Sequence, residues 1–171
     1  GGPMSKVGIH LADKSNRPDL AEWFSDEMVH HMAQRCSQGV GFMPGVEVLL
    51  NEILELGIPV GLVSASPRPI VDAVLNGLGK SYYQFSISAA DVSRSKPFPD
   101  PYLLAADKLN VEIRECIVLE DSATGVASAT AAGAYVVAVP HLVPIDAAPR
   151  RIVLKTLENV SVALLKDKFS R

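Results

Sequence analysis

The sequence predicts an α/β fold in which a parallel sheet carries helices on both of its faces. Two observations support this prediction. Short apolar runs alternate with amphipathic stretches from residue 44 onward, and several of these runs stop at a polar residue just before a helix begins. Such alternation is typical of parallel strands that are joined by right-handed helical crossovers. The apolar run 116–119 indicates a strand that is buried on both faces, with Cys116 buried in it.

Composition limits the classes of protein that need to be considered. A chain of 171 residues corresponds to about one domain with a small addition. The net charge is −3 and no basic stripe is present, which argues against a nucleic-acid partner. No apolar run reaches the roughly 18 residues of a membrane span, and the N-terminus has no signal-peptide pattern. The two distant cysteines fit reduced thiols, so we expect a cytoplasmic protein without a membrane partner.

The N-terminal part is expected to be helical. Apolar residues recur at helical spacing over residues 5–38, which predicts one continuous helical segment. Glycines and a proline over residues 39–45 then mark a break, which we interpret as a hinge. We therefore expect two parts, residues 1–43 and residues 44–171. A helix over 44–56 is predicted next, because Pro44 stands at its start and Gly57 just past its end.

The elements that follow alternate between strand and helix. A proline at position 67 starts one helix, Asp100 is expected to cap the next, and Gly133 ends a helix of small residues. The apolar runs between these helices have strand length. The predicted strands are 58–63, 84–88, 116–119 and 135–139. The predicted helices are 67–78, 100–109, 123–132 and 156–166.

Two adjacent acids follow the strand at 116–119. These are Glu120 and Asp121, after which Ser122 and Gly125 open the next helix. Ligands of open α/β sheets bind at the carboxyl ends of the strands. Two carboxylates beside a helix N-terminus suit a hard cation and a phosphate group. The alternative is that Asp121 or Ser122 only caps the helix, as these residue types often do.

Polar groups also follow the two preceding strands. The Ser64 hydroxyl and the exposed backbone near Ala65 suit a phosphoryl oxygen, although a simple Ser66 cap ahead of the helix is the alternative. Lys96 lies in a loop that three alternate prolines stiffen, and a lysine there suits phosphate and offsets nearby carboxylates. The alternative is a solvated lysine. If these groups share one crevice with the paired acids, the chemistry indicated is phosphoryl transfer with a magnesium ion.

These segments resemble a known family. Ser64, the run Lys96-Pro97-Phe98-Pro99-Asp100-Pro101 and the segment 119–125 resemble motifs II, III and IV of the haloacid-dehalogenase-like hydrolases. The branch most similar contains β-phosphoglucomutase and small sugar-phosphate phosphatases with a helical cap. The resemblance is tight over residues 44–140 and looser before them. It implies a Rossmann-like core at 44–171 and part of a helical cap at 1–43.

The resemblance also implies roles for individual residues. Ser64 and Lys96 would hold phosphate, with Ala65 contributing to the same site, and Asp121, supported by Glu120, would bind Mg²⁺. The implied activity is hydrolysis of a small phosphorylated metabolite, such as a sugar phosphate, through an aspartyl-phosphate. A phosphosugar mutase and a non-catalytic fragment or binding module remain alternatives. A haloacid dehalogenase is disfavoured, because that reaction needs no metal and would leave the paired acids unexplained.

One family motif is missing from the sequence. Family members open with a strand that ends in Asp-x-Asp-Gly-Thr, whose first aspartate is the nucleophile, and these 171 residues contain no such segment. The resemblance therefore implies a core without its central nucleophile strand, in a chain that is truncated at its N-terminus. We expect such a chain to be inactive by itself and to self-associate through exposed strand edges.

Overall fold

The computed structural model describes residues 4–78, 82–141 and 143–169. Mixed helices and parallel strands confirm the α/β prediction, and no helix among these residues is long and apolar enough to cross a membrane. The helices are α1 (Met4–Lys14), α2 (Ala21–Ser37), α3 (Val46–Glu55), α4 (Arg68–Gly77), α5 (Asp100–Leu109), α6 (Ala123–Ala132) and α7 (Val162–Phe169). The strands are β1 (Leu62–Val63), β2 (Ser86–Ile87), β3 (Ile117–Glu120), β4 (Tyr135–Ala138) and β5 (Arg151–Val153).

The chain divides into two compact units. The first comprises Gly1–Gly41, Ser64–Ser81 and Ser88–Ala90, and it contains α1, α2 and α4. The second comprises Phe42–Val63, Tyr82–Ile87 and Asp91–Arg171, and it contains all five strands with the other four helices. The segment around α4 was expected in the core and lies in the first unit. The predicted boundary between cap and core at residue 43 stays a prediction.

The N-terminal helical segment is interrupted, so the prediction of one continuous helix over 5–38 is wrong. Helix α1 ends at Lys14, and α2 begins at Ala21. Between them Asn16 has a φ of +54°, which is left-handed and cannot continue a helix. Pro18 follows and opens a short 3₁₀ turn. Because proline has no N–H and disfavours a helical residue before it, the chain turns here.

The strands of the second unit form two parallel sheets. Strand β1 pairs with β2, while β3, β4 and β5 pair in that order. The predicted strand over 58–63 is only two residues long, since Pro59 has no N–H to donate and Gly61 weakens a strand. The strand predicted over 84–88 is similarly short. Strand β5 was not predicted.

Helices cover both faces of the larger sheet, as the sequence predicted. Successive residues of β4 point to opposite faces, because side chains alternate along a strand. Val136 and Ala138 pack in one cluster with residues of α5 and α6. Val137 packs in the other cluster with residues of α3 and α7. The clusters contain Tyr102, Val126 and Ala129 on the first face, and Leu49, Val162 and Leu165 on the second.

Strand β3 is less buried than its apolar sequence suggested. Cys116 precedes the strand and is partly exposed, which corrects the expectation that it is buried within it. Only Val118 is fully buried, against the cluster that α5 and α6 cover. Leu119 packs partly against the other cluster, and Ile117 at the start of the strand is 37% exposed. The helices therefore cover the end of the strand better than its beginning.

The last helix begins later than predicted. Helix α7 starts at Val162, whereas the sequence pattern suggested residue 156. The Val162 N–H donates to both carboxylate oxygens of Glu52 on α3, each at 3.1 Å. A carboxylate at a helix start satisfies an N–H that has no partner within the helix. The helix start is therefore set by a residue 110 positions away in the chain.

Candidate active site

The residues at the end of β3 could either cap helix α6 or bind a ligand, and the structure shows which residue is the cap. Glu120 is the last residue of the strand, and Ser122 is the N-cap of α6, where its hydroxyl accepts the Gly125 N–H at 3.1 Å. The capping interpretation is therefore confirmed for Ser122 and wrong for Asp121. The Asp121 side chain is exposed, and among the described residues it has no hydrogen bond or ion pair, although its charge acts on the nearby Tyr102 hydroxyl. It remains available to a ligand while its neighbour caps the helix.

The Glu120 carboxylate is buried among donors. Its side chain is 7% exposed, and Oε1 accepts hydrogen bonds from the Lys96 ammonium and the Tyr102 hydroxyl. The other oxygen, Oε2, accepts from the Ser122 N–H at 3.4 Å and from the Ser122 hydroxyl at 3.1 Å. A buried carboxylate needs such compensation, because desolvation of an unpaired charge is costly.

Lys96 connects the carboxyl ends of the two sheets. Besides its ion pair with Glu120 at the end of β3, its ammonium donates to the Val63 carbonyl at the end of β1, at 3.0 Å. The same ammonium lies 4.9 Å from the centre of the Tyr102 ring. The lysine side chain is only 7% exposed, so the alternative of a solvated lysine is wrong. The structure therefore brings Lys96 and Glu120 together.

The loop that carries Lys96 is held by one buried hydrogen bond and one exposed ion pair. Ser128 of α6 is fully buried, and its hydroxyl donates to the Phe98 carbonyl at 2.5 Å. At the other side of the loop, Arg94 pairs with Asp100 at 3.0 Å. Asp100 is the first residue of α5 and not its cap, which is Pro99. These contacts connect the loop to α6 and to the first residue of α5.

Tyr102 is a site residue that sequence reasoning missed. It lies in the first turn of α5 and is 5% exposed, and its hydroxyl is the only part of the side chain that distinguishes it from a core phenylalanine. Burial raises the pKa of this hydroxyl, and the neighbouring Glu120 carboxylate raises the pKa further. Tyr102 therefore stays protonated and keeps donating at any ordinary pH. The signal in the sequence was a hydroxyl on the apolar face of the helix that follows the lysine loop.

Gly125 makes room for the Glu120 carboxylate. A Cβ atom added at Gly125 would lie 2.0 Å from the Glu120 Cδ and 2.1 Å from each of its oxygens. Atoms at that distance overlap, so a larger residue must move either the carboxylate or the first turn of α6. Glycine at this position is therefore a requirement of the site geometry.

We expect Gly125→Ala to displace Glu120 and to lower the free energy of unfolding by about 1–3 kcal/mol, as overpacking does. Urea unfolding measures the loss. The matched control is Gly41→Ala, because a Cβ at Gly41 would meet nothing within 4 Å and its φ is not positive. Equal stability of the two variants would contradict the close packing at Gly125.

Ser64 and Ala65 belong to the first compact unit. Ser64 is partly buried, and its hydroxyl accepts the Ser66 N–H at 3.1 Å, while Ala65 is exposed. Helix α4 begins at Arg68 without a side-chain cap, so the alternative of a Ser66 cap is wrong. Because Lys96, Glu120 and Asp121 lie in the second unit, the convergence of Ser64 with them stays a prediction.

The donor set limits the metal chemistry that the described residues can support. Within residues 4–78, 82–141 and 143–169, no three histidine, cysteine or acidic side chains are grouped as ligands. A self-contained structural metal site of the zinc type is therefore not found there. Mg²⁺ differs, since proteins often hold it by one or two carboxylates together with phosphate oxygens and waters. The exposed Asp121 carboxylate fits that requirement.

A parallel α/β fold with a buried lysine and an exposed carboxylate at its strand ends is an arrangement that suits phosphoryl transfer. Comparison with known sequences specifies the family. Residues 2–139 match the haloacid dehalogenase-like hydrolase family, and the chain belongs to it. The resemblance inferred from the three sequence motifs is thereby confirmed, and the chain is of the hydrolase type.

Individual relatives agree with this assignment. The chain is 32% identical over 159 residues to hexitol phosphatase A of Escherichia coli (strain K12), which covers 90% of this chain and 70% of that protein. It is 41% identical over 143 residues to the putative phosphatase YhcW of Bacillus subtilis (strain 168), covering 82% and 62%. The chain therefore spans about two thirds of the length of these relatives.

A solved structure supports the fold. The β-phosphoglucomutase of Clostridium difficile superposes with a TM-score of 0.79 at 23% identity, covering 98% of this chain and 76% of that one. At this level of identity the likeness confirms the Rossmann-like architecture alone. It carries no information about the substrate.

Proposed function

We propose that this chain is part of a Mg²⁺-dependent phosphatase that acts on a small phosphorylated metabolite of the sugar-phosphate type. The observation that carries the proposal is the buried Lys96 ammonium, which pairs with Glu120 at the end of β3. The exposed Asp121 carboxylate follows Glu120 directly in the chain. Curated relatives that are named phosphatases support the reaction class. The name of hexitol phosphatase A also supports a small organic substrate.

Each residue in this proposal has a chemical role. The Lys96 ammonium attracts a phosphoryl oxygen as a point charge. The Ser64 hydroxyl and the backbone at Ala65 donate hydrogen bonds to the other oxygens, and the Asp121 carboxylate holds the cation. Mg²⁺, when bound, neutralises charge that develops on the phosphoryl oxygens. A fixed lysine avoids reorganisation during the reaction, which is the main advantage of a preorganised site.

The attacking group is not among these side chains. In the family resemblance, the nucleophile is the first aspartate of an Asp-x-Asp-Gly-Thr segment, and the 171 residues contain no Asp-x-Asp pair. Formation of the aspartyl-phosphate therefore needs a protein that contains this segment. The residues of the present chain bind the phosphate group and the cation.

A phosphosugar mutase would use the same groups. The phosphatase is favoured because relatives at 32% and 41% identity are named phosphatases, whereas the mutase likeness rests on a structure at 23% identity. A non-catalytic binding module is the alternative from another class. It predicts no coupling between magnesium and phosphate binding.

Titration of the 171-residue chain with inorganic phosphate, in the presence and absence of Mg²⁺, tests the proposal. We expect Mg²⁺ to tighten phosphate binding, and we expect Asp121→Asn to remove this effect, because a neutral amide is a poor ligand for a hard cation. The matched control is Asp107→Asn, which changes an exposed acid on α5. Isothermal titration calorimetry gives the affinities. Identical behaviour of the two variants, or no effect of Mg²⁺ on the wild-type chain, would refute the proposed site.

A further inference from the structure

Three arginines lie at the amino ends of the strands in the larger sheet, at the edge opposite to Glu120. Arg114 belongs to a short turn ahead of β3, Arg150 directly precedes β5, and Arg151 is the first residue of β5. Among the residues that the structure describes, none of the three arginines forms an ion pair with a carboxylate. The whole chain carries a net charge of −3, so this excess of positive charge is local.

The Arg150 guanidinium is held in place by the chain. Its central carbon lies 3.7 Å from the centre of the Tyr135 ring, which itself packs against the Phe169 ring at 4.6 Å. Its Nη2 donates to the Arg114 carbonyl at 2.5 Å. The backbone of Arg150 has a φ of +62°, a left-handed conformation that is unfavourable for a residue with a Cβ atom. The N–H groups of Nε and Nη1 have no partner among the described residues, so a fixed guanidinium keeps donors available.

Arg151 and Arg114 add positive charge beside this guanidinium. Arg151 donates only to uncharged acceptors, the Asp146 carbonyl at 3.1 Å and the Thr130 hydroxyl at 3.3 Å, and its buried Nε has no partner. The Arg114 side chain is exposed and starts next to the Arg150 guanidinium, because the Arg114 carbonyl accepts the hydrogen bond from it. A cation that is partly removed from water without a counter-ion is unfavourable. An anion bound here would therefore stabilise the cluster.

A role limited to the end of helix α6 does not account for these charges. Carbonyl groups at a helix C-terminus carry partial negative charge and attract cations. Gly133 ends α6, however, and its own N–H bonds to the carbonyls of Ala129 and Thr130. No described hydrogen bond joins the arginines to a backbone carbonyl of α6. The available donors of Arg150 therefore have no acceptor in the described part of the chain.

We propose that Arg114 and Arg150 bind a small anion of the phosphate type, with Arg151 adding positive charge next to them. The forked donors of a guanidinium match phosphate oxygens in both geometry and charge. Three arginines in an acidic chain favour a small anion over a long polyanion, which the remaining surface would repel. Lys96 and Asp121 lie at the carboxyl ends of the strands, so this second anion site does not depend on the proposed phosphatase activity.

Protection of arginine side chains from phenylglyoxal, followed by peptide mass spectrometry, tests the proposal in the wild-type 171-residue chain. With EDTA present and the ionic strength held constant, we expect inorganic pyrophosphate to slow the modification of Arg114 and Arg150 several-fold. Arg35 is exposed on α2 and is the internal control, which should react at an unchanged rate. Equal slowing at Arg35, or no slowing at Arg114 and Arg150, would overturn the site. Equal protection by citrate, whose charges are carboxylates, would overturn the assignment to phosphate.

A single substitution shows whether the two arginines form one site. Arg150→Gln removes the charge and keeps a polar side chain, so we expect pyrophosphate to lose its protection of Arg114. The matched control Arg35→Gln should retain this protection, and circular dichroism compares the folding of both variants. Full protection of Arg114 in a folded Arg150→Gln variant would overturn the shared site. If that variant does not fold, the protection pattern of the wild-type chain still decides. Neither result bears on the phosphatase proposal, which depends on Lys96 and Asp121.

Discussion

Lys96→Met is expected to lower the free energy of unfolding by about 3–5 kcal/mol, which is the usual cost of removing one partner of a buried ion pair. The Glu120 side chain is only 7% exposed, so solvent cannot replace the lost ammonium. The substitution also leaves the Val63 carbonyl without its described donor. Tyr102 and Ser122 continue to donate to Glu120, which keeps the loss near the lower end of this range. Urea unfolding followed by circular dichroism measures it.

Two matched variants separate the buried charge from a general loss of packing. In Lys96→Met combined with Glu120→Gln, no unpaired charge remains, and we expect much of the stability to return, because a neutral pair can replace a buried ion pair. Lys155→Met removes an exposed lysine and should change the unfolding free energy by less than about 0.5 kcal/mol. A loss below about 1 kcal/mol for Lys96→Met would show that the ion pair does not stabilise the fold.

The sequence predicted that Lys96 and Glu120 lie close together, but it did not predict their other partners. Lys96 and Glu120 were identified because polar residues at the carboxyl ends of parallel strands meet at one edge. Tyr102 and Glu52 were not identified, since each acts on a residue distant in the chain, 18 positions away for Tyr102 and 110 for Glu52. Local periodicity reports which face of a helix is apolar. It does not report which buried hydroxyl or carboxylate finds a partner across the fold.

Errors in the predicted elements have similar physical causes. The helix over 5–38 was predicted from apolar spacing, while the left-handed Asn16 and the following Pro18 end the first helix. The strand over 58–63 was predicted from apolar content, although a strand also needs backbone partners. Strand β1 has only two paired residues, because Pro59 has no N–H to donate and Gly61 weakens the strand. Patterns of side chains therefore predicted the layers correctly and the lengths of edge strands poorly.

The outer edges of β1 and β3 lead to a prediction about the association of the 171-residue polypeptide. In parallel pairing, alternate residues direct their N–H and C=O groups to opposite neighbours. Cys116 and Glu120 accept hydrogen bonds from the β4 side, so Ile117 and Leu119 direct their backbone groups away from β4. Within the described residues, no strand pairs with the edge of β3 that faces away from β4 or with the edge of β1 that faces away from β2. Each buried backbone group left without a partner costs about 1–3 kcal/mol.

A polypeptide of these 171 residues is therefore expected to self-associate through the two edges and to hydrolyse no phosphomonoester. Light scattering and a phosphate-release assay measure these properties. Fusion of an N-terminal strand that ends in Asp-x-Asp-Gly-Thr should yield a monomer with higher stability and Mg²⁺-dependent hydrolysis, because the segment pairs with both edges and supplies the carboxylate. The same fusion with both aspartates changed to asparagine should be monomeric and inactive, which separates strand pairing from chemistry. Hydrolysis by a monomeric 171-residue chain would show that the attacking group lies among the residues already present.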